Sequence, residues 1–159
     1  MLIVNRNEQA AIRDRIEAVG INPAVVDIIA ADHAEVPEQI GRMSAAMAII
    51  KPSYSKIASA PTKLAEYLGC GVPCLGNVRV GDMEAVLEGN RVGVALTGFS
   101  DKEMRDGVRK LIALTRDPGI QERCRRAAVA LFSLDIGVAA YQAIYDSLGS
   151  APRLLPEAA

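Results

Sequence analysis

The side chains best suited to chemistry follow a predicted strand and enter a predicted helix. They carry ammonium and hydroxyl groups, and they are Lys51, Lys56, Ser59, Thr62 and Lys63. A helix amino terminus exposes unpaired backbone N–H groups and a partial positive charge, so it suits a phosphate group. One turn further along, the carboxylate of Glu66 suits two neighbouring ribose hydroxyls. The loop therefore predicts a nucleotide site, with a diphosphate at the helix start and a ribose on Glu66.

Each of these side chains also has a purely structural explanation. Ser59 could serve only as the cap of the helix. Lys56 and Lys63 could be solvated surface charges, which is the commoner fate of lysine. Glu66 could pair only with Lys63, three residues before it on the same helix. Spacing alone leaves both interpretations of the loop open.

An alternation of strands and helices must position this loop. Short apolar runs predict buried strands at residues 1–4, 25–31, 45–50, 72–75 and 92–96. Helical spacing predicts helices over 7–19, 35–43, 61–68 and 84–87, then one from the Ser100–Glu103 capping box and two over 120–132 and 136–148. This pattern predicts an α/β fold with a doubly wound parallel sheet, whose ligands bind at the carboxyl ends of the strands. We expect one domain over residues 1–149 and a disordered tail over 150–159.

Composition excludes several classes of protein. Half of the 159 residues are hydrophobic, and 18 basic side chains balance 19 acidic ones. Intrinsic disorder needs lower hydrophobicity or a larger net charge. Nucleic-acid binding would favour a basic excess, which the chain lacks. No apolar run approaches the roughly 18 residues of a membrane span, so we expect no transmembrane segment.

The numbers and spacing of cysteine and histidine residues bear on the cellular compartment and on metal binding. The three cysteines are too few for a disulfide framework, which predicts a reduced, cytoplasmic setting. Peripheral contact with the inner face of the membrane is an open alternative, because a basic cluster lies on a late helix. His33 is the one histidine, and its distance from Cys70 and Cys74 matches no zinc-site spacing. We therefore expect no metal site.

A longer motif runs through the predicted nucleotide loop. Residues 60–73 read APTKLAEYLGCGVP, which resembles the SPTKLxEYLAxGxPV signature of retaining glycosyltransferases of the group 1, family 4-like type. The resemblance continues through Asn77, residues 80–82 and residues 90–94, and it reaches Tyr141. It implies the Rossmann-like, nucleotide-sugar-binding half of a GT-B fold, with a hexose donor and a role in polysaccharide or capsule biosynthesis.

The resemblance also assigns roles to individual residues. Glu66 matches the second carboxylate of the E-x7-E motif, which is expected on the donor ribose. The helix start, at Ser59, Ala60 and Thr62, matches the segment expected to hold the diphosphate. Lys51 and Lys63 are expected to stabilise the leaving diphosphate without a metal or another cofactor. The first carboxylate of the motif should fall at residue 58, where this chain has alanine.

Two parts of a complete enzyme are expected outside this sequence. The resemblance implies an N-terminal half that binds the acceptor, and a strand–helix unit with an Arg/Lys pair ahead of the strand at Leu2. We therefore expect the isolated chain to be inactive. The main alternative is a non-catalytic nucleotide-binding or assembly module on the same fold. A nicotinamide-dinucleotide fold is disfavoured because residue 74 is cysteine where the third glycine of that fingerprint should stand.

The expected absence of a first strand has a consequence for the sheet. Its place lies in the centre of a doubly wound sheet, beside the strands that begin near Leu2 and Ala45. We expect these two strands to pair directly with each other. The alternative is that a second copy of the chain covers their edges in a homodimer.

Overall fold

The chain folds into alternating strands and helices, as the sequence predicts. The computed structural model describes residues 2–4 and 9–149, so the predicted tail over 150–159 lies outside the described residues. The strands are β1 (Leu2–Val4), β2 (Asp27–Ile29), β3 (Ala46–Met47), β4 (Cys74–Asn77) and β5 (Gly93–Leu96). The helices are α1 (Gln9–Ala18), α2 (Val36–Gly41), α3 (Thr62–Gly69), α4 (Met83–Gly89), α5 (Asp101–Leu114), α6 (Ile120–Phe132) and α7 (Leu134–Gly149). Single 3₁₀ turns occur at Pro23–Val25 and Tyr54–Lys56.

All strand pairs are parallel, but the strands form two sheets. One sheet has the order β1–β2 and the other has the order β3–β4–β5. The predicted direct pairing of the strands at Leu2 and Ala45 is therefore wrong. That prediction assumed that the free edges would be buried. Of the two residues of β3, Ala46 is buried but Met47 is 52% exposed, so water can satisfy the edge groups beside Met47 at little cost.

Helices cover both faces of the larger sheet, which confirms the doubly wound α/β class. On one face, α3, α4 and α6 enclose the main core, in which Leu64, Leu68 and Leu87 are almost completely buried. Leu64 and Leu68 are four residues apart, so they lie on one side of α3. On the other face, Leu111 of α5 packs against Leu75 of β4. The predicted capping box forms at the start of α5, where the Ser100 hydroxyl accepts a hydrogen bond from the Glu103 amide at 3.3 Å.

The smaller sheet has its own core. Ile16 of α1 packs on Ile28 of β2 and on Val26, just before that strand. The crossover between the two parallel strands runs through α1. The next crossover returns from β2 to β3 through α2, whose Ile40 packs against Ala46.

The last two helices carry an unusual amount of apolar surface. A window between Ile120 and Leu148 has a mean hydropathy of 1.6 and is only 11% buried, so by length and composition it could cross a membrane. Ser133 interrupts the segment with extended backbone between α6 and α7. The absence of a transmembrane segment stays a prediction.

Candidate functional site

Two loops meet at the carboxyl edge of the larger sheet. One joins β3 to α3, and the other joins β4 to α4. The Gly81 amide donates a hydrogen bond to the Lys56 carbonyl at 3.0 Å. A methyl group at Gly81 would overlap the carbonyl oxygen of Ser59, so only glycine permits this approach. The second loop therefore supports the backbone of the first at the point where the sequence predicts a phosphate.

The Asn77 side chain connects the carboxyl end of β4 to the segment that follows β3. Its side chain is fully buried, and its oxygen accepts a hydrogen bond from the Ile50 amide at 2.8 Å. Its amide group donates to the Val78 carbonyl at 3.0 Å. Lys51 directly follows the residue that Asn77 holds. The backbone is therefore held in place at the start of the loop between β3 and α3.

The start of α3 is open to a ligand. The helix begins at Thr62 with Pro61 as its N-cap, and no side chain caps it. The proposal that Ser59 serves only as a side-chain cap is therefore wrong. The Ser59 amide instead donates to the Lys56 carbonyl at 3.1 Å, which closes the turn before the helix. The first N–H groups of the helix remain a suitable site for an anion.

Glu66 lies one turn behind this helix start. Residues 62 and 66 are four apart, so they share one side of α3. Glu66 is half-buried, and no ion pair joins it to Lys63 among the described residues. Its charge contributes to raising the pKa of Cys70, whose pKa is raised mainly by burial. Within residues 2–4 and 9–149, no side chain is therefore seen to occupy the Glu66 carboxylate.

Sequence reasoning missed Arg79 in the second loop. Its backbone has φ 66°, in the left-handed region that few residues other than glycine adopt. The next residue, Val80, is fully buried and anchors the loop, while the Arg79 side chain is exposed. A strained residue at a site edge is a functional candidate. No spacing in the sequence pointed to it, because the strain arises from the anchoring of Val80 and the turn at Gly81.

The structure distributes the predicted donor residues along one loop and the first turns of α3. They are Lys51, Ser59, Ala60, Thr62, Lys63 and Glu66, and Ser59 and Glu66 are the half-buried ones. No side chain of these six hydrogen-bonds to another of the six. Residues 51–66 line none of five cavities of about 200 to 400 Å³ on the described part of the chain. The candidate site is therefore an exposed surface at the edge of the sheet and not an enclosed pocket. The roles of its residues stay predictions.

The cysteines give a direct check on the region around Glu66. Burial raises the pKa of Cys74 to about 12 and that of Cys124 to about 11. The thiolate is the reactive form, so at pH 8 we expect only Cys70 to react quickly with a thiol reagent such as Ellman's reagent. The other two should react at least about 100-fold more slowly until the protein unfolds.

Two variants make this measurement specific. The Cys70→Ser variant should lose the fast phase. Because the Glu66 charge contributes to the raised pKa of Cys70, Glu66→Gln should speed the labelling of Cys70. Three thiols of equal reactivity in the folded protein would contradict the burial of Cys74 and Cys124.

Comparison with known proteins identifies the fold. The chain superposes on the crystal structure of AviGT4, a glycosyltransferase involved in avilamycin A biosynthesis, with a TM-score of 0.68 and 19% sequence identity. It superposes on the GtfA/B complex with a TM-score of 0.66 and 19% identity. The matches cover 91% and 92% of this chain but only 41% and 29% of those chains. No family model and no curated protein sequence matches. The chain thus has the Rossmann-like fold of part of a GT-B glycosyltransferase.

Proposed function

We propose that this chain is the donor-binding half of a retaining glycosyltransferase that uses a nucleoside-diphosphate sugar. The observation that carries the proposal is the start of α3, which no side chain caps. The loop between β4 and α4 supports the backbone before this helix start through Gly81, and Glu66 lies one turn after it. The fold shared with AviGT4 supports the same class of chemistry. A hexose donor, a role in polysaccharide or capsule biosynthesis and a cytoplasmic location are the finer parts of the proposal.

Charge and helix geometry suggest how the chain would serve the reaction. Transfer of a sugar leaves a nucleoside diphosphate that carries more negative charge than it had in the donor. The N–H groups at the start of α3 and the ammonium groups of Lys51 and Lys63 would stabilise that charge. Glu66 would accept hydrogen bonds from the ribose hydroxyls and so fix the nucleotide in register. No metal or other cofactor is part of this proposal.

The acceptor would bind elsewhere. The chain spans less than half the length of the structures that it resembles. We propose that a separate N-terminal half supplies the acceptor site and that this chain alone does not transfer sugar. Combining the chain with that half should restore transfer.

Titration with uridine and guanosine diphosphate tests the proposed site. We expect Glu66→Ala to weaken binding of the preferred nucleotide about 10- to 100-fold, because a hydrogen bond to a charged group contributes about 1.5–3 kcal/mol. Glu17→Ala is the matched control, since it removes an exposed carboxylate from α1. Equal affinity for the wild type and both variants, measured by calorimetry, would exclude a ribose role for Glu66.

A non-catalytic nucleotide-binding or assembly module is the second candidate. Ala58 favours it, because its methyl side chain cannot accept a hydrogen bond from a donor sugar at the position of the first motif carboxylate. A module of this kind would bind the nucleoside diphosphate with the same dependence on Glu66. It would stay inactive after the N-terminal half is added back. Assays of sugar transfer with both halves separate the two functions.

A further inference from the structure

A polar cavity lies at the opposite end of α3 from the proposed nucleotide site. It has a volume of about 400 Å³ and lies between residues 41–44, which precede β3, and residues 70–73, which precede β4. Thr115 and the first two turns of α6 complete its lining. Because α3 has eight residues, its two ends are about 12 Å apart. The cavity is therefore separate from the loop between β3 and α3.

The charged side chains that line this cavity are two arginines. Arg42 directly follows α2, and Arg125 lies on the second turn of α6. No Asp or Glu within residues 2–4 and 9–149 lines the cavity. The ends of α2, α3 and α5 each add about half a negative charge, and the start of α6 adds about half a positive charge. The cavity therefore keeps a net positive charge, which favours an anion.

The Arg125 guanidinium is positioned against the backbone before β4. It lies 3.1 Å from the place that a Cβ atom at Gly71 would take, so a larger residue there would displace it. Burial and the Glu66 charge raise the pKa of Cys70, and the Arg125 charge lowers it. The guanidinium therefore lies close to the Cys70 thiol, which also lines the cavity.

Both guanidinium groups keep N–H donors for a ligand. Arg42 uses one terminal nitrogen to donate to the Gln39 side chain at 2.7 Å. Within residues 2–4 and 9–149, Arg125 has no ion-pair partner, because Glu122 pairs instead with Arg126 at 3.9 Å. A guanidinium has five N–H donors, arranged in a fork that fits two oxygen atoms of a phosphate group. Two such groups on one cavity suit a phosphate better than a single carboxylate.

The two arginines also have a structural explanation. Arg42 follows the end of α2 and Arg125 lies beside the end of α3, and a cation stabilises the carboxyl end of a helix. That role does not need a cavity between the two side chains. The observed volume lies in the range of about 300–1,000 Å³ that is typical of sites for small organic ligands. The hydroxyl and amide groups that suit the uncharged part of a polar ligand belong to Ser44, Thr115 and Gln121.

We propose that this cavity binds the phosphate group of a small polar compound between Arg42 and Arg125. The uncharged part of the compound, which is polar as in a sugar phosphate, contacts Ser44, Thr115 and Gln121. The site lies at the amino ends of β3 and β4, whereas the proposed donor site lies at their carboxyl ends. Its occupant is therefore an effector rather than a substrate, and the site does not depend on the proposed transfer activity.

Labelling of Cys70 tests this proposal, because the thiol lines the cavity. Iodoacetamide is the reagent, since it is uncharged and does not compete with phosphate for the arginines, and peptide mass spectrometry follows Cys70 alone. A bound anion should shield the thiol and raise its pKa. We expect saturating inorganic phosphate to slow labelling at least about fivefold relative to sodium chloride of the same ionic strength.

A sugar phosphate distinguishes the two sources of the phosphate group. We expect glucose 1-phosphate to give the same protection at a concentration at least about tenfold lower than inorganic phosphate, through contacts with the uncharged polar residues. Protection at equal concentrations would assign the site to free phosphate. Glucose itself should give no protection, because it lacks the anionic group.

Substitutions identify the residues that hold the anion. Arg42→Gln and Arg125→Gln should each lose the protection by phosphate. Arg126→Gln is the matched control, because Arg126 is the next residue on α6 and does not line the cavity. Lys63→Gln should also keep the protection, since Lys63 lies at the other end of α3.

Three outcomes would overturn the proposal. Equal labelling of the wild type in phosphate and in chloride would do so without any variant. Protection that persists in Arg125→Gln would show that this guanidinium does not hold the anion. Protection that is lost in Lys63→Gln but kept in Arg42→Gln would place the phosphate at the start of α3. A lower Tm of the two arginine variants, with unchanged protection, would leave only the role at the helix ends.

Discussion

Replacing Gly81 with alanine is expected to destabilise the protein by about 2–5 kcal/mol and to abolish nucleotide binding at the α3 start. The residue has φ 47°, where a side chain costs about 1–2 kcal/mol. The added methyl group would also overlap the Ser59 carbonyl oxygen, and relieving such an overlap costs about 1–3 kcal/mol. The loop that precedes α3 must move away, together with the proposed phosphate site.

Gly20→Ala separates the two causes. Gly20 has φ 75°, but no atom lies within 4 Å of the position that its methyl group would take. It should therefore lose only the conformational contribution, about 1–2 kcal/mol, and leave nucleotide affinity unchanged. Urea unfolding measures both variants. Equal losses of unfolding free energy would show that the contact between Gly81 and Ser59 has no energetic importance.

Local signals in the sequence were sufficient for most elements of this fold. The apolar pair Leu64 and Leu68 marks the buried side of α3, and Ser100 with Glu103 marks the start of α5. Both signals act within one or two helical turns, where side-chain spacing determines which groups meet. The alternation of such elements was enough to predict the α/β class.

Strand ends were less predictable, because a strand also depends on its neighbour. The apolar run over 25–31 predicts a longer strand than the observed β2, Asp27–Ile29. The Asn22 side chain accepts a hydrogen bond from the Ala24 amide, and this contact turns the chain just before the strand. For β3 the ladder has one partner, so only Ala46–Met47 satisfies the pattern of a strand. Hydrophobicity reports burial, whereas pairing needs a second chain segment.

The same distinction explains which parts of the candidate site the sequence predicted. Ser59, Thr62 and Glu66 are close in sequence, so spacing on one loop and helix was enough to group them. Asn77 and Gly81 act through contacts with residues more than 20 positions away. No periodic pattern encodes such contacts. The family resemblance includes both residues, but it does not show that they position the loop between β3 and α3.

Asn77→Asp is expected to weaken the folded state by about 2–4 kcal/mol at pH 7. The side chain is fully buried and donates to the Val78 carbonyl while it accepts from the Ile50 amide. A carboxylate keeps the acceptor but loses the donor, and it places a charge at a fully buried position. An unpaired buried polar group costs about 1–3 kcal/mol, and a buried charge costs more.

The pH dependence of this variant identifies the cause of its instability. Burial disfavours the charged form, so the new carboxyl group should have a pKa in the folded state above its unfolded value of about 3.9. The folded state then binds the proton more tightly. The variant should therefore approach the wild type below about pH 4, and it should lose stability as pH rises toward the folded pKa.

Asn90→Asp is the matched control for this measurement. The Asn90 amide also donates to a backbone carbonyl, that of Val86 at 2.9 Å, but Asn90 is only half-buried at the end of α4. We expect its loss to be about 1 kcal/mol or less and to change little between pH 4 and 8. Urea unfolding across that range compares the two variants. If Asn77→Asp follows the same flat profile, water reaches the end of β4 and the loop at Lys51 does not start from a buried anchor.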